Sequence, residues 1–352
     1  MRRKDMKKML TSSASRGFGF VLFVVLILFT FLPLQAKTKP IELSFALHIP
    51  PKAALYPKAL VPWAEEIEKR SDGQLKIKFY LSQTLVATRD SYDGVVNGIA
   101  DISWFFTGWG KGRFPLLEVM DLPYLTKSTF AGSHVMTQLY EKFPEIQAEL
   151  EDVQPLWFWT TMPYEIHTSK KPIKSIEDMK GMKFASNPGA RLALEGAGSV
   201  AVPMGTPNIY QTVEKGVTDG CAAAWGSYKA FKMAEVTKYH TNVHLGGMGT
   251  FVIMNKDKWN GLPEDLQKIV QEVTAEMMPD SFSKSVTLEG EKGKQQSLDL
   301  GHDIFEISDE ERAKWVKSGE AVYEKWVSDM EAKGLPGRAV LDEAIKLMSE
   351  QP

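Results

Sequence analysis

The 352-residue chain contains one cysteine, Cys221, so no disulfide can form within it and no cysteine-based zinc site can assemble. Its 42 Lys and Arg stand against 44 Asp and Glu, a formal net charge of −2. Nucleic-acid binding, which needs a basic surplus, is argued against. None of the six histidines forms HExxH. His240 and His244 are four apart, a metal-binding spacing on a helix, but YHTNVHLGG reads as extended chain, which sets them about 13 Å apart. No GxSxG elbow occurs, and GWGKGRF (108–114) lacks the GK[ST] ending of a phosphate loop, so it reads as a loop. Glu65, Glu66 and Glu68 read as a solvated helix face. Cys221 lies between apolar neighbours with no base in view. No catalytic residue, metal or cofactor is therefore expected.

What is present begins with the N-terminus. MRRKDMKKM is basic, and an apolar run follows from about Gly17 to Leu34. With Pro33 near its end and Leu34-Gln35-Ala36 after it, residues 1–36 read as a secretory signal peptide. A retained membrane anchor is the alternative, and both readings export the rest of the chain. No comparable apolar run follows.

Beyond Ala36 the pattern alternates strand with helix. Strands are expected at 41–47, 75–80, 101–106, 153–159, near 182, and at 219–225, 249–255 and 303–308, with helices between them. Ser308-Asp309-Glu310-Glu311 is a capping box opening a helix. Pro263-Glu264-Asp265 opens a long one that runs to about 299. This alternation predicts an α/β fold with mostly parallel sheets, and the length suits two α/β lobes. Aromatic residues gather at strand ends: Trp104, Phe105, Phe106 and Trp109; Trp157, Phe158, Trp159 and Tyr164; and Trp225. Ligands of open α/β sheets bind outside the carboxyl ends of strands, so these rings are candidates for a pocket.

Four segments in order carry a family pattern: DISWFFTGWGKGRFPLLEVMDLPYL, KKPIKSIEDMKGMKFASN, VPMGTPNIYQTVEKGVTDG and NKDKWNGLPEDLQKIV. From about Leu43 to the C-terminus the chain resembles the solute-binding proteins of tripartite ATP-independent periplasmic (TRAP) transporters, of the dicarboxylate-binding type. The resemblance implies a two-lobed periplasmic binding protein fold with crossing strands and a long helix spanning both lobes. Lobe I would be 40–161 with about 250–285, and lobe II 162–249 with about 286–350. It implies a monomeric periplasmic receptor, without catalysis, that closes on a small organic ligand and delivers it to a small and a large membrane subunit. An exported sensor for a membrane receptor, or an enzyme on the same scaffold, are the alternatives.

The departures are specific. Relatives place an arginine after G-x-K-x, where it forks onto the ligand carboxylate. Gly181 and Lys183 fit, but that position is Ala185. Tyr164 stands about where sugar-acid binders carry another arginine. A flat or aromatic ligand is therefore expected, packed by Trp104, Phe106, Trp109, Tyr164 and Trp225. Any carboxylate would meet Arg89, Asn187 or the backbone N–H groups of 189–191. His48, Thr107, Ala185 and Asn208 complete the expected ligand contacts.

Overall fold

The computed structural model describes residues 39–351 apart from Lys111; the expected signal peptide, 1–36, lies outside the described residues. Eleven strands form two sheets: β1 (Ile41–Ala46), β2 (Leu75–Tyr80), β3 (Ile102–Phe106), β4 (Val153–Thr160), β5 (Glu165–Thr168), β6 (Lys183–Ser186), β7 (Val200–Pro203), β8 (Gly220–Ala223), β9 (Tyr239–Asn242), β10 (Gly249–Asn255) and β11 (Asp303–Glu306). The first sheet runs β2-β1-β3-β10-β4 and the second β11-β9-β5-β8-β6-β7. Around them lie α1 (Val61–Arg70), α2 (Ser91–Val96), α3 (Thr129–Lys142), α4 (Pro144–Ala148), α5 (Arg191–Gly196), α6 (Thr206–Glu214) and α7 (Trp225–Tyr228). Then follow α8 (Lys256–Asn260), α9 (Glu264–Asp299), α10 (Asp309–Glu331) and α11 (Gly337–Ser349). None of the described helices is long and apolar enough to cross a membrane.

The sheets are mixed, not mostly parallel. Five of the nine pairings are parallel and four antiparallel. The antiparallel pairings all involve the strands on which the chain changes lobe. The chain leaves the first sheet along β4 and enters the second as β5; it returns from β9 into β10. The crossings lie side by side as a hydrogen-bonded ribbon. Thr161 N–H donates to Met248 O (3.0 Å), Tyr164 N–H to Gly246 O (2.9 Å) and Leu245 N–H to Tyr164 O (2.9 Å). Gly246 has φ +102°, and a Cβ there would meet Tyr124 N at 2.9 Å, so only glycine suits this point.

Alternation along the strands sorts the first sheet's core. Trp104 and Phe106 of β3, Trp157 and Trp159 of β4 and Val252 of β10 face one apolar cluster. Phe105, Phe158, Phe251 and Ile253 face the other, with residues of α3 and α11. Thus α11 packs beside the first sheet.

The long helix α9 has 36 residues and contains Pro279. It packs on α1 and β4 of the first lobe and on α7 and β11 of the second, so it spans both. Close approach to α7 rests on missing side chains: a Cβ on Gly293 would sit 2.6 Å from Trp225 O. At the start of α10, Ser308 Oγ accepts the Glu311 N–H at 3.2 Å, whereas the Glu311 carboxylate accepts the Ile176 N–H at 2.6 Å. The expected capping box is therefore half made, and its acidic partner ties α10 to the turn before β6.

Candidate ligand cavity between the lobes

A cavity of about 120 Å³ lies where the carboxyl ends of β3 and β4 face α6, α7 and α9. Its wall on the first lobe is aromatic. Trp104 and Phe106 point to the same side of β3, and Trp159 meets Trp104 edge to face with ring centres 4.6 Å apart. His48 joins them, 4.6 Å from the Trp104 ring and 5.2 Å from Phe106. Phe282 of α9 backs the group 4.5 Å from Trp159. Each such pair adds about 0.5–1.5 kcal/mol beyond area burial, so the rings support one another as a packed wall.

The opposite wall is neutral and mostly of small residues, Asn187, Thr206, Ile209, Ala223, Ala224 and Ser227, with Phe231 its one large ring. Thr161, Met162 and Tyr164 of the first crossing close one side, and Ser285, Val286 and Glu289 of α9 the other. Asn187 Nδ2 donates to Thr206 Oγ1 at 3.3 Å. The Tyr164 hydroxyl lies beside Thr161 and Asn187 without closing a well-formed hydrogen bond to either, and the indole N–H groups of Trp104 and Trp159 have no acceptor.

Among the described residues the wall holds no lysine or arginine. Burial lowers the His48 pKa to about 4, so the ring is neutral at pH 7 although part of its surface opens to the cavity. Burial pushes the Tyr164 hydroxyl up, so it is a neutral donor. The one formal charge in the wall is Glu289, whose carboxylate is 2.9 Å from Lys292 Nζ. Such a surface offers ring faces and neutral hydrogen-bond groups but no guanidinium fork. Nothing in it pairs a nucleophile with a base.

Five of the expected contacts line this cavity: His48, Trp104, Phe106, Tyr164 and Asn187. The other six lie elsewhere, each for a physical reason. Arg89 stacks its guanidinium 4.4 Å from the ring centre of Trp109, and the two leave the cavity together. Thr107 is fully buried, its hydroxyl 2.7 Å from Asp121 Oδ1 and 2.8 Å from Gly249 O. That knot fixes the start of β10, and burial raises the Asp121 pKa. Asn208 is exposed because α6 turns its neighbours Thr206 and Ile209, three apart, toward the cavity. Trp225 donates its Nε1–H to Asn242 Oδ1 at 3.0 Å and faces a different cavity. Ala185 is fully buried in a small apolar cluster with Ile209, Cys221 and Ala223. It shares that cluster with two wall residues, Ile209 and Ala223, but does not itself line the cavity. Of the turn N–H groups, Ala190 donates to Asn187 O at 3.2 Å and Arg191 to Pro188 O, while the Arg191 guanidinium pairs with Glu195 on its own helix at 2.9 Å.

Reasoning from sequence missed Thr161, Met162, Ile209, Ala224, Ser227 and the α9 residues. No composition or periodicity signal marks such small neutral positions; the aromatic Trp159 and Phe231 were the ones with a visible signal. His240 and His244 serve separate networks: His240 meets His167 (3.0 Å) and His302 (3.2 Å), and His244 meets Glu165 (2.5 Å).

Comparison with known proteins agrees with this architecture. Residues 46–329 match the family model described as bacterial extracellular solute-binding protein, family 7. The chain is 29% identical over 292 residues to the C4-dicarboxylate-binding periplasmic protein DctP of Rhodobacter capsulatus, covering 81% of this chain and 86% of that one. A marine metagenome TRAP solute-binding protein described as specific for aromatic acid ligands, crystallised with 3-hydroxybenzoate, superposes with a TM-score of 0.82 at 28% identity, covering 89% of this chain and 99% of that one. A TRAP solute-binding protein of Rhodoferax ferrireducens with copurified benzoate gives a TM-score of 0.82 at 26% identity, covering 88% and 98%. This chain belongs to the family 7 bacterial extracellular solute-binding proteins and is a solute receptor of the TRAP type.

Proposed function

We propose that this receptor captures a small aromatic acid in the periplasm and delivers it to the small and large membrane subunits of a TRAP transporter. The observation that carries the reading is the ring-lined cavity with no cation in its wall. Its volume of about 120 Å³ is a little under that of the apolar cavity of about 150 Å³ that holds a benzene, so a single flat ring is the body it suits once the walls adjust around it. The ring would lie against Trp104, Phe106 and Trp159. Its polar end would meet Thr161, Tyr164 and Asn187 in place of the fork that Ala185 removes. The two relatives that bind hydroxybenzoate and benzoate support the ligand class.

Capture is a hinge closure. The lobe of β1–β4 and β10, with α11, moves against the lobe of β5–β9 and β11 about the ribbon of crossings. The ligand stabilises the shut state by its differential affinity for it. Residues 1–36 would serve as the export signal, and the receptor would act as a monomer. A thermal-shift screen of benzoates, phenylacetates and C4 dicarboxylates, with mass spectrometry of copurified ligand, tests the ligand class. Aromatic acids are expected to raise the melting temperature; stabilisation by aliphatic dicarboxylates alone overturns it.

A further inference from the structure

The aromatic cavity has a second polar end, on α9. Ser285 and Glu289 lie four residues apart, one turn along the helix, and both line the cavity. Ser285 is only 6% exposed. A buried helical serine ordinarily returns its hydroxyl to the carbonyl four residues back. Ser281 does so to Met277 O, and Ser283 to Pro279 O at 2.8 Å. Ser285 has no such bond among the described residues, and its oxygen is not sealed off as the unpaired hydroxyls of Thr129 and Thr160 are. What surface it keeps belongs to the cavity that it lines.

Glu289 is similar. Its side chain is 13% exposed, and Oε1 accepts from Lys292 Nζ at 2.9 Å. Oε2 accepts no hydrogen bond among the described residues and is likewise not sealed. Lys58, on the turn Tyr56–Leu60, lies beside Lys292 on the far side of this pair.

The two ends of the cavity therefore ask for different chemistry. Thr161 Oγ1 already accepts the Met248 N–H at 2.9 Å, which leaves its own proton to give, and Asn187 adds an amide N–H₂. A ligand carboxylate suits that end. At the other end Glu289 can only accept, and it repels a second carboxylate. Whatever faces it must donate.

We propose that Ser285 and Glu289 select for a ring hydroxyl, and that the ligand is an aromatic acid hydroxylated on the side of the ring away from its carboxylate. This rests on the aromatic-acid reading and names the substituent. The hydroxyl donates to Glu289 Oε2 and accepts from Ser285 Oγ. Hydrogen bonds to an ionised acceptor are the stronger kind. An unsubstituted ring would leave both groups desolvated and unpaired, and a site built to bond a hydroxyl discriminates strongly against an analogue that lacks it.

The test is calorimetric titration of the chain from Lys37 onward with 3- and 4-hydroxybenzoate and with 3- and 4-fluorobenzoate, which are close in size but cannot donate. The parent is compared with Glu289→Gln and Ser285→Ala, each checked for folding by its melting temperature. In the parent one hydroxybenzoate is expected to bind about tenfold or more tightly than its fluoro counterpart. Both variants should bring that ratio toward one, whatever they do to the affinity for the fluorobenzoate. A ratio near one in the parent, or a ratio that either folded variant leaves intact, overturns the pair and leaves the aromatic-acid reading standing. Tighter binding of all four acids by Glu289→Gln also overturns it, because the carboxylate would then point toward Lys292 and Lys58. Absence of binding by all four overturns the aromatic-acid reading itself, and the pair with it.

Discussion

Substituting Gly108 tests whether the corner after β6 is a closing contact. Gly108 lies in the turn after β3 on the first lobe, and Pro188 lies in the corner after β6 on the second. A Cβ added at Gly108 would be 2.8 Å from Pro188 Cβ, 3.2 Å from Met248 Sδ and 3.3 Å from Asp121 Oδ2. Carbon contacts settle at about 3.5–4.0 Å, so Pro188 would have to retreat by roughly 0.7 Å or more. It has no room to do so locally. Its neighbour Gly189 is already pressed onto the crossing ribbon, where a Cβ would come 2.6 Å from Met248 Cβ. The lobes must therefore part slightly. Overpacking of this kind costs about 1–3 kcal/mol, and here the cost falls on the shut state alone, because opening separates the two atoms. A ligand that binds only the shut state then loses about 5- to 150-fold in affinity. Calorimetry on Gly108→Ala with an aromatic acid reads the loss, and small-angle scattering of the complex should show a larger radius of gyration. The melting temperature of the free protein should not move. If that temperature falls by several degrees while affinity holds, the Gly108–Pro188 contact belongs to the static body of the fold and the reasoning is refuted.

Further outcomes follow from the buried groups. Ala185→Arg places a guanidinium in a fully buried apolar cluster behind Ile209 and Ala223. The free protein should lose several kcal/mol, and succinate should restore more melting temperature to the variant than it adds to the parent; no extra restoration would mean that position 185 does not reach the ligand. Burial is the first cause that lowers the pKa of His48 to about 4, His167 to about 3 and His240 to about 2. Below the unfolded value of about 6.5 the unfolded chain takes up protons that the folded one refuses, so stability falls as pH drops, by up to about 1.4 kcal/mol per pH unit for each histidine. Urea midpoints at pH 7 and pH 5 check this, and equal midpoints would count against it. Burial pushes the Cys221 thiol up to about 12, so it should resist alkylation in the native protein and react only on unfolding.

The long periodic elements were legible because one interaction dominated each. β10 falls at the expected 249–255, and α9 ends at the expected 299 despite Pro279, which lies within the helix where it packs against both lobes. What escaped was β5, and β9 was read only as extended chain and not as a strand; these four-residue strands flank the crossings between lobes. Their inward side chains are polar: His167 and His240 meet across the pairing, and Thr241 Oγ1 donates to Ile173 O. Apolar alternation, the usual strand signal, is replaced there by side-chain hydrogen bonds that only the assembled sheet supplies. The 129–150 helix likewise divides at Phe143, because Pro144 disfavours a helical residue before it.

The site divides along the same line. Large aromatic residues betray a pocket in sequence because few other positions gather them, and the structure brings Trp104, Phe106 and Tyr164 to one cavity. Arg89 and Trp109 show the limit of that reasoning. Each was a plausible contact alone, yet a guanidinium over an indole is already a complete interaction, so together they are drawn away from the ligand. Ala185 shows the converse. It does not line the cavity itself, yet it is the position where the family resemblance leads one to expect an arginine, and the wall that its neighbours Ile209 and Ala223 form is neutral. On the proposed reading the ligand's polar end falls to the neutral groups Thr161, Tyr164 and Asn187, and a thermal-shift comparison of aromatic acids with C4 dicarboxylates decides whether neutral hydrogen bonds suffice to hold an acid there.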